Sequence, residues 1–236
     1  MSKLLLIAHR GYSGNAPENT FAAFDLAIAR GWHHIEFDVQ LSRDGIPVIM
    51  HDTVLERTTN TYGPLADRTL NELRTLDAGS WFDSRFKGEQ IPTLEEMLQR
   101  YRSAHLHIEL KSQEPELPEV VAALLATRPS GPQLVISSEW TEQLERIRPL
   151  VVEQADYEQI SHTEGDKDFT WAAQFGARSF HLHGKGINPE LTQEAWSLGL
   201  DLGAWWWTPE EQDVRHLRIA GARYAFVDAP GLHAIA

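Results

Sequence analysis

The chain has 236 residues, no cysteine and a formal net charge of −13, with 42% hydrophobic and 23% charged residues. This composition is typical of a globular protein and excludes a disordered chain, a disulfide scaffold and a thiolate metal site. The acidity disfavours nucleic acid or an anionic membrane as the main partner. We expect a soluble cytoplasmic protein, because the apolar run Leu4–Ala8 is too short for a signal sequence or a membrane span.

Short apolar runs alternate with helix-like stretches along the chain. The strand candidates are Leu4–Ala8, Ile35–Val39, Pro47–Met50, Leu106–Leu110, Leu134–Ser137, Val151–Gln154, Ser179–Leu182, Leu202–Trp206 and Ala225–Val227. The helix candidates are Thr20–Arg30, Leu70–Leu76, Thr93–Tyr101, Glu116–Ala126, Glu139–Ile147, Phe169–Phe175, Pro189–Leu198 and Glu210–Ala220. This alternation predicts a parallel sheet. About eight units in this length favour an α/β fold of the TIM (β/α)8 barrel type, with a doubly wound open sheet as the alternative.

One segment interrupts this alternation, roughly residues 53–90. It contains Gly63, Pro64, Gly79 and Gly88 and a single short helical stretch. Neither a linker nor a change in composition marks a second domain. We therefore predict one domain over residues 1–236, with this segment as an insertion.

Carboxylates follow two of the early strands. Glu36 and Asp38 are two residues apart, so they lie on the same face of their strand, and Glu109 and Lys111 share a face at the end of another. Functional groups of a barrel lie at the carboxyl ends of its strands, where these carboxylates would meet. Crowded carboxylates stay partly protonated unless a cation neutralises them, and oxygen ligands suit Mg²⁺ or Ca²⁺. The pattern predicts a site for a hard divalent cation.

Histidines and cations lie at the same strand ends. His9 and Arg10 follow the first strand, and His51 closes the strand candidate Pro47–Met50. A metal ion together with Arg10 and Lys111 would offset the charge of a phosphate ester, and two histidines supply a base and an acid. The residues alone therefore predict a metal-dependent phosphoesterase.

Several motifs follow one another over residues 7–112. They read HRG at 9–11, PENT at 17–20, IEFDV at 35–39, DGIPV at 44–48, HD at 51–52, LERTTN at 55–60, DAGSWF at 77–82, IPTLEE at 91–96 and IELK at 108–111. Together they resemble the glycerophosphodiester phosphodiesterase family. The resemblance implies a TIM barrel with a small insertion after the second strand, covering the mouth of the barrel.

The resemblance also implies roles for individual residues. A divalent cation would be held by Glu36, Asp38 and Glu109, with His9 and His51 as the acid–base pair. The phosphate of a small-molecule diester would be bound by the side chains of Arg10 and Lys111. The site would be braced from the first loop by Glu18 and Asn19. The implied reaction cleaves a glycerophosphodiester to glycerol 3-phosphate and an alcohol.

The carboxyl-terminal half departs from the family pattern. Trp205 matches an aromatic position of the family and is predicted to bind substrate, but Trp206 and Trp207 follow where the family usually reads Thr-Val. On a strand, residues 205 and 207 would face one way and residue 206 the other. These changes leave the metal ligands and histidines in place. They leave open which alcohol is the leaving group of the substrate.

Other histidines have a structural interpretation. His107 shares the inward face of Glu109, which indicates a buried, hydrogen-bonded ring. His181 and His183 are directed toward the mouth with no accompanying carboxylate, and His33 and His34 are expected at the surface.

Two other functions remain as alternatives. One is a phospholipase D-like enzyme on the same scaffold that acts on lysolipids, and the other is a catalytically silent barrel that binds a ligand. The sequence leaves open the alcohol, the choice between Mg²⁺ and Ca²⁺, and the oligomeric state.

Overall fold

A computed structural model describes residues 4–127, 133–151, 155–161, 168–206 and 210–228 of the chain. Its strands are β1 (Leu5–Ala8), β2 (His34–Leu41), β3 (Pro47–Ile49), β4 (His105–Leu110), β5 (Leu134–Ser138), β6 (Ala155–Ile160), β7 (Ser179–His183), β8 (Asp201–Trp205) and β9 (Tyr224–Val227). Its helices are α1 (Phe21–Ala29), α2 (Leu70–Leu73), α3 (Leu94–Arg100), α4 (Leu117–Ala126), α5 (Thr141–Ile147), α6 (Phe169–Phe175), α7 (Pro189–Ser197) and α8 (Glu211–Ala220).

Eight of the described strands form a closed parallel barrel. The hydrogen-bonded order is β1-β9-β8-β7-β6-β5-β4-β2, and β1 also pairs with β2, which closes the ring. The short β3 lies outside the ring and pairs antiparallel with β2. This architecture confirms the predicted TIM barrel and excludes the open doubly wound sheet.

The helices start where the sequence provides capping residues. The Thr93 hydroxyl oxygen accepts a hydrogen bond from the Glu96 backbone N–H, and the Glu96 carboxylate accepts one from the Thr93 backbone N–H, which confirms the predicted capping box of α3. Thr20 caps α1 in a similar way through its side chain. Among the described residues, no helix combines the length and apolar character needed to cross a bilayer.

Alternating residues of the strands face two different environments. Ile35, Phe37 and Val39 are fully buried in the main core between the strands and the surrounding helices. Glu36 and Asp38, on the opposite face of β2, point into the barrel. The early strands therefore keep an apolar outer face while their inner face carries ionisable groups.

The insertion over residues 53–90 has a small core of its own. The buried side chains of the insertion are Leu55, Leu65, Leu73 and Ala78. They pack with Val48 and Met50, in and after β3, and with Ile91 before α3. Arg57 connects the insertion to the first loop through two hydrogen bonds to Glu18. The insertion is therefore held against the first loop, although none of its residues is among those that line the central cleft.

The sixth strand lies later in the chain than the predicted strand Val151–Gln154, of which only Val151 is among the described residues. It is Ala155–Ile160, and Val151 precedes it. The shift arises because β6 is polar: Glu158 is completely buried on it and binds the Arg178 guanidinium at 3.1 Å. With Asp156 and Glu158 on one face and Gln159 on the other, β6 shows no apolar run.

Histidines surround Glu158 in the lower part of the barrel. Its Oε2 atom lies 3.5 Å from His107 Nδ1 and 3.5 Å from His181 Nε2. His107 is fully buried and lies 3.2 Å from His34 Nδ1, which confirms its structural interpretation. The expectation that no carboxylate accompanies His181 is wrong, as is the expectation of a surface position for His34, which is half-buried and stacks on His105.

This buried cluster should make stability depend on pH. Burial lowers the pKa of His181 to about 4, so between pH 6.5 and 4 the unfolded chain binds a proton that the folded chain does not. We expect the free energy of unfolding to fall as the pH drops through this range, by on the order of 3 kcal/mol from this ring. Urea denaturation at pH 7 and pH 5 should show about 2 kcal/mol of this change, because the titration continues below pH 5. His181→Gln should reduce it and the exposed-site control His33→Gln should not; equal pH dependence in both variants contradicts the prediction.

Candidate active site

Three carboxylates meet at the mouth of the barrel. Asp38 on β2 pairs in register with Glu109 on β4, and Glu36 lies one step below on the same inner face. Each residue offers an oxygen, and these oxygens lie within 4.8 Å of one another. Glu36 Oε1 and Asp38 Oδ1 are buried and have no hydrogen-bond partner within the part of the chain that is described. The predicted metal ligands are thus brought together in an arrangement that can hold a cation.

The carboxylates of this cluster have different proton affinities. Burial raises the pKa of Glu36 to about 8, and the negative charge of Asp38 acts in the same direction. Burial also favours the neutral form of Asp38, but the Arg10 guanidinium and the other nearby cations outweigh it and hold its pKa well below the usual range. The cluster therefore retains a proton near neutral pH that an added cation would displace.

Arg10 contacts the cluster through both its side chain and its backbone. Its Nε atom lies 3.3 Å from Asp38 Oδ2, and its backbone N–H donates to Glu36 Oε2 at 2.9 Å. Arg10 has a φ of 55°, which is uncommon for a residue with a side chain and typical of strained functional positions. Gly11 follows with a φ of 84°, and a Cβ there would lie 2.8 Å from Ala23. The tight turn of the first loop therefore requires the glycine.

The other predicted polar residues also reach this cluster. Lys111 Nζ donates to Glu109 Oε1 at 2.6 Å and lies 3.9 Å from Asp38 Oδ1. Asn19 Nδ2 donates to Asp38 Oδ2 at 2.8 Å. Glu18 accepts a hydrogen bond of 2.8 Å from the Arg10 guanidinium. Lys111 and Asn19 thus contact carboxylates of the cluster, and Glu18 contacts the Arg10 guanidinium.

The two histidines approach the cluster from different elements. His9 follows β1, and its Nε2 atom lies 3.9 Å from Glu36 Oε2. His51 follows β3, which runs antiparallel, so the hairpin returns the chain to the level of Asp38 and the Met50 backbone N–H donates to the Asp38 carbonyl at 3.0 Å. The sequence placed His51 at the end of a barrel strand. The residue does reach the mouth, but through this hairpin.

Both histidines line one cleft together with Glu36 and Glu109 of the cluster. Aromatic and aliphatic side chains complete the wall opposite the charged residues. The lining residues are His9, Arg10, Glu36, His51, Glu109, Lys111, Ile160, Trp205, Trp206 and Phe226. The cleft therefore combines a cation site, ionisable rings and an apolar wall.

Two tryptophans contribute to this apolar wall. Trp205 is half-buried, donates from Nε1 to the Ser161 carbonyl at 3.0 Å, and meets the His183 ring edge to face at 5.0 Å. Trp206 faces away from Trp205 as predicted: Trp205 packs with Ile7, Tyr224 and Phe226, whereas the Trp206 ring packs against Gly184 in the main core, although both residues border the cleft. Trp207 lies outside the described residues.

Sequence reasoning missed the hydrogen-bond partners of the histidines. Asp228 Oδ1 lies 2.7 Å from His9 Nδ1, and Asp52 Oδ1 lies 2.6 Å from His51 Nδ1. Asp228 directly follows the last barrel strand, so the rule that identified the early strand ends would also have found it. Arg57 lies in the insertion, and its contacts with the first loop depend on tertiary structure.

A parallel (β/α)8 barrel with carboxylates, histidines and cations at the carboxyl ends of its strands has the layout of the barrel enzymes. Within that class, the match to a family model is extensive: residues 9–232 match the glycerophosphoryl diester phosphodiesterase family. The chain belongs to this family, which confirms the resemblance drawn from the sequence.

Solved structures show the same fold over the whole chain. An Oleispira antarctica phosphodiesterase, in complex with the product sn-glycerol-3-phosphate, superposes with a TM-score of 0.91 at 30% identity, covering 97% of this chain and 95% of that one. A glycerophosphodiester phosphodiesterase from Agrobacterium tumefaciens superposes with a TM-score of 0.81 at 31% identity, covering both chains completely.

Curated sequences match over a shorter part of the chain. A glycerophosphodiester phosphodiesterase of Caldanaerobacter subterraneus is 49% identical over 112 residues, which are 47% of this chain and 46% of that protein. One from Bacillus subtilis is 36% identical over 165 residues, 63% of this chain and 56% of that protein. The chain thus spans about half the length of these curated relatives.

Proposed function

We propose that this chain hydrolyses glycerophosphodiesters to glycerol 3-phosphate and an alcohol at the cleft in the barrel mouth. The observation that carries the proposal is the cluster of Glu36, Asp38 and Glu109 within 4.8 Å, with His9 and His51 lining the same cleft. Membership of the family supports it, and so does the neighbouring structure that binds sn-glycerol-3-phosphate.

The three carboxylates fit a resident divalent cation, either Mg²⁺ or Ca²⁺. All three are buried, and the oxygens of Glu36 and Asp38 that lack hydrogen bonds are of the type that hard cations prefer. When bound, the cation would neutralise charge on the phosphoryl oxygens. Glu36, Asp38 and Glu109 would hold it.

The remaining side chains bind and protonate the substrate. Arg10 and Lys111 hold the phosphate by charge-assisted hydrogen bonds, while Glu18 and Asn19 keep Arg10 and Asp38 in position. A histidine base takes the proton of the attacking water, and a histidine acid delivers one to the oxygen of the leaving alcohol. We assign these roles to His9 and His51 respectively.

A direct assay tests the proposal. The purified chain is incubated with glycerophosphocholine, glycerophosphoethanolamine, glycerophosphoglycerol and lysophosphatidylcholine, and both glycerol 3-phosphate and the released alcohol are measured enzymatically. Release from the water-soluble diesters supports the proposal. Turnover of the lysophospholipid alone would identify the lysolipid hydrolase, and no turnover of any of them with added Mg²⁺ or Ca²⁺ would leave the silent barrel.

Trp205 should affect the choice of alcohol. Its indole ring lies in the cleft wall and is fixed by the hydrogen bond to Ser161, so its face can attract a quaternary ammonium group by ~0.5–2 kcal/mol. Trp205→Ala should therefore raise KM for glycerophosphocholine roughly 2- to 30-fold more than KM for glycerophosphoglycerol. The exposed insertion residue Trp81, changed to Ala, is the control. Equal losses on both diesters would show that the ring only packs.

A further inference from the structure

A carboxylate binds the Nδ1 atom of each histidine in the cleft. Asp228 Oδ1 lies 2.7 Å from His9 Nδ1, and Asp52 Oδ1 lies 2.6 Å from His51 Nδ1. An ionised carboxylate accepts hydrogen bonds and donates none, so in a neutral imidazole the proton must lie on Nδ1. Each ring then carries its lone pair on Nε2. Two histidines from different elements thus have the same arrangement.

Both carboxylates are themselves held in place. Asp228 accepts at the same oxygen from the Ser13 hydroxyl, 2.9 Å away. Asp52 receives two hydrogen bonds from Arg57, of 2.7 and 2.9 Å, and the same guanidinium binds both oxygens of Glu18. A carboxylate fixed in this way restricts the rotation of the ring that it binds.

The backbone beside His51 is fixed as well. The Gln40 side chain is buried inside the hairpin, and its amide nitrogen lies 2.8 to 3.0 Å from three consecutive carbonyl oxygens, those of Met50, His51 and Asp52. The histidine and its carboxylate partner are adjacent in sequence, so this contact positions both. Contacts from β2 (Gln40) and from the insertion (Arg57) therefore position the segment after β3 that carries His51.

We infer that Asp228 and Asp52 are positioning residues that hold His9 and His51 in the Nδ1-protonated tautomer, so that Nε2 of each ring exchanges the proton with the substrate. The inference rests on the proposed function for the identity of the substrate, but the tautomers themselves are a property of the free protein. Neither carboxylate lines the cleft, so they act through the rings and not on the substrate.

The tautomers can be measured directly. In the full chain labelled with ¹⁵N-histidine and loaded with Mg²⁺, long-range ¹H–¹⁵N spectra distinguish Nδ1–H from Nε2–H. His9→Gln and His51→Gln assign the signals. We expect Nδ1–H for both rings in the native chain. An Nε2–H tautomer for both rings would overturn the inference without any assay of activity.

Variants test the consequence for catalysis. In Asp228→Asn or Asp52→Asn the amide can donate to Nδ1 and stabilise the wrong tautomer. The same carboxylate-to-amide change in a Ser-His-Asp triad costs about 10⁴-fold in kcat. We expect a fall in kcat of roughly 10²- to 10⁴-fold with little change in KM, since neither residue contacts the substrate. Asp201→Asn, at the opposite end of the barrel on β8, is the matched control.

The outcomes separate this inference from the proposed function. Native kcat and native tautomers in both asparagine variants would overturn the positioning role. A native chain that releases no glycerol 3-phosphate yet shows two Nδ1–H rings would contradict the proposed function and leave the tautomers established. If a variant fails to fold, as judged by circular dichroism, the spectra of the native chain still decide the question.

Discussion

Excess EDTA should abolish the release of glycerol 3-phosphate, and Mg²⁺ or Ca²⁺ should restore it. The three clustered carboxylates repel one another, and Glu36 Oε1 and Asp38 Oδ1 are buried without hydrogen bonds in the described structure. A cation removes both penalties. Outer-shell partners of metal ligands contribute ~10–100-fold to affinity, so Glu36→Gln, which removes a ligand, should weaken metal binding by more than that range.

Proton release provides a second measurement that does not depend on substrate. Because burial and Asp38 raise the pKa of Glu36 to about 8, this carboxyl is largely protonated at pH 7 and must lose its proton to bind a cation. Calorimetry in buffers of different ionisation enthalpy should therefore detect close to one proton released per cation at pH 7. The release should decline as the pH rises through about 8, where the carboxyl ionises by itself.

The controls distinguish a metal ligand from a merely buried charge. Glu36→Gln should eliminate most of the proton release along with the affinity. Glu89→Gln, in the insertion and outside the cleft, should preserve both. Full turnover in excess EDTA, or metal binding with no proton release at pH 7, would contradict the assignment of these carboxylates.

The sequence predicts the barrel well where its strands have an apolar outer face. The bounds of β2, β4 and β5 agree with the predicted strands to within two residues at each end. The strand β6 is missed because it reads ADYEQI, with polar residues on both faces and therefore no apolar run. Because the sequence predicts this strand too early in the chain, Glu158 is not predicted as a buried partner of His181.

Some residues of the candidate site can be predicted from the sequence and others cannot. Residues at the ends of barrel strands, such as Glu36, Asp38 and Glu109, can be found from spacing because parallel strands bring their carboxyl ends together. Arg57 cannot be found in this way. It lies in the insertion, and its partners Glu18 and Asp52 are 39 and 5 residues away in the chain. Only the folded chain brings these charges together.

Loss of either histidine should reduce the rate ~10²–10⁴-fold. Both rings line the cleft beside the carboxylate cluster, and hydrolysis of the diester requires one proton to be removed from water and another to be delivered to the alcohol. The dependence of kcat/KM on pH should be bell-shaped in the native chain. In His9→Ala and His51→Ala it should lose one limb each. His33→Ala, an exposed position, serves as the control.

The leaving group distinguishes the base from the acid. Burial and the Arg10 guanidinium oppose protonation of His9, but the carboxylates of Asp228 and Glu36 outweigh them and raise its pKa, which favours its role as the base. The nitrophenolate group of a nitrophenyl diester leaves without a proton and needs no acid. This substrate should therefore restore activity to His51→Ala and leave His9→Ala slow. The opposite result would exchange the two roles, and full activity of both variants on alkyl diesters would exclude the histidine mechanism.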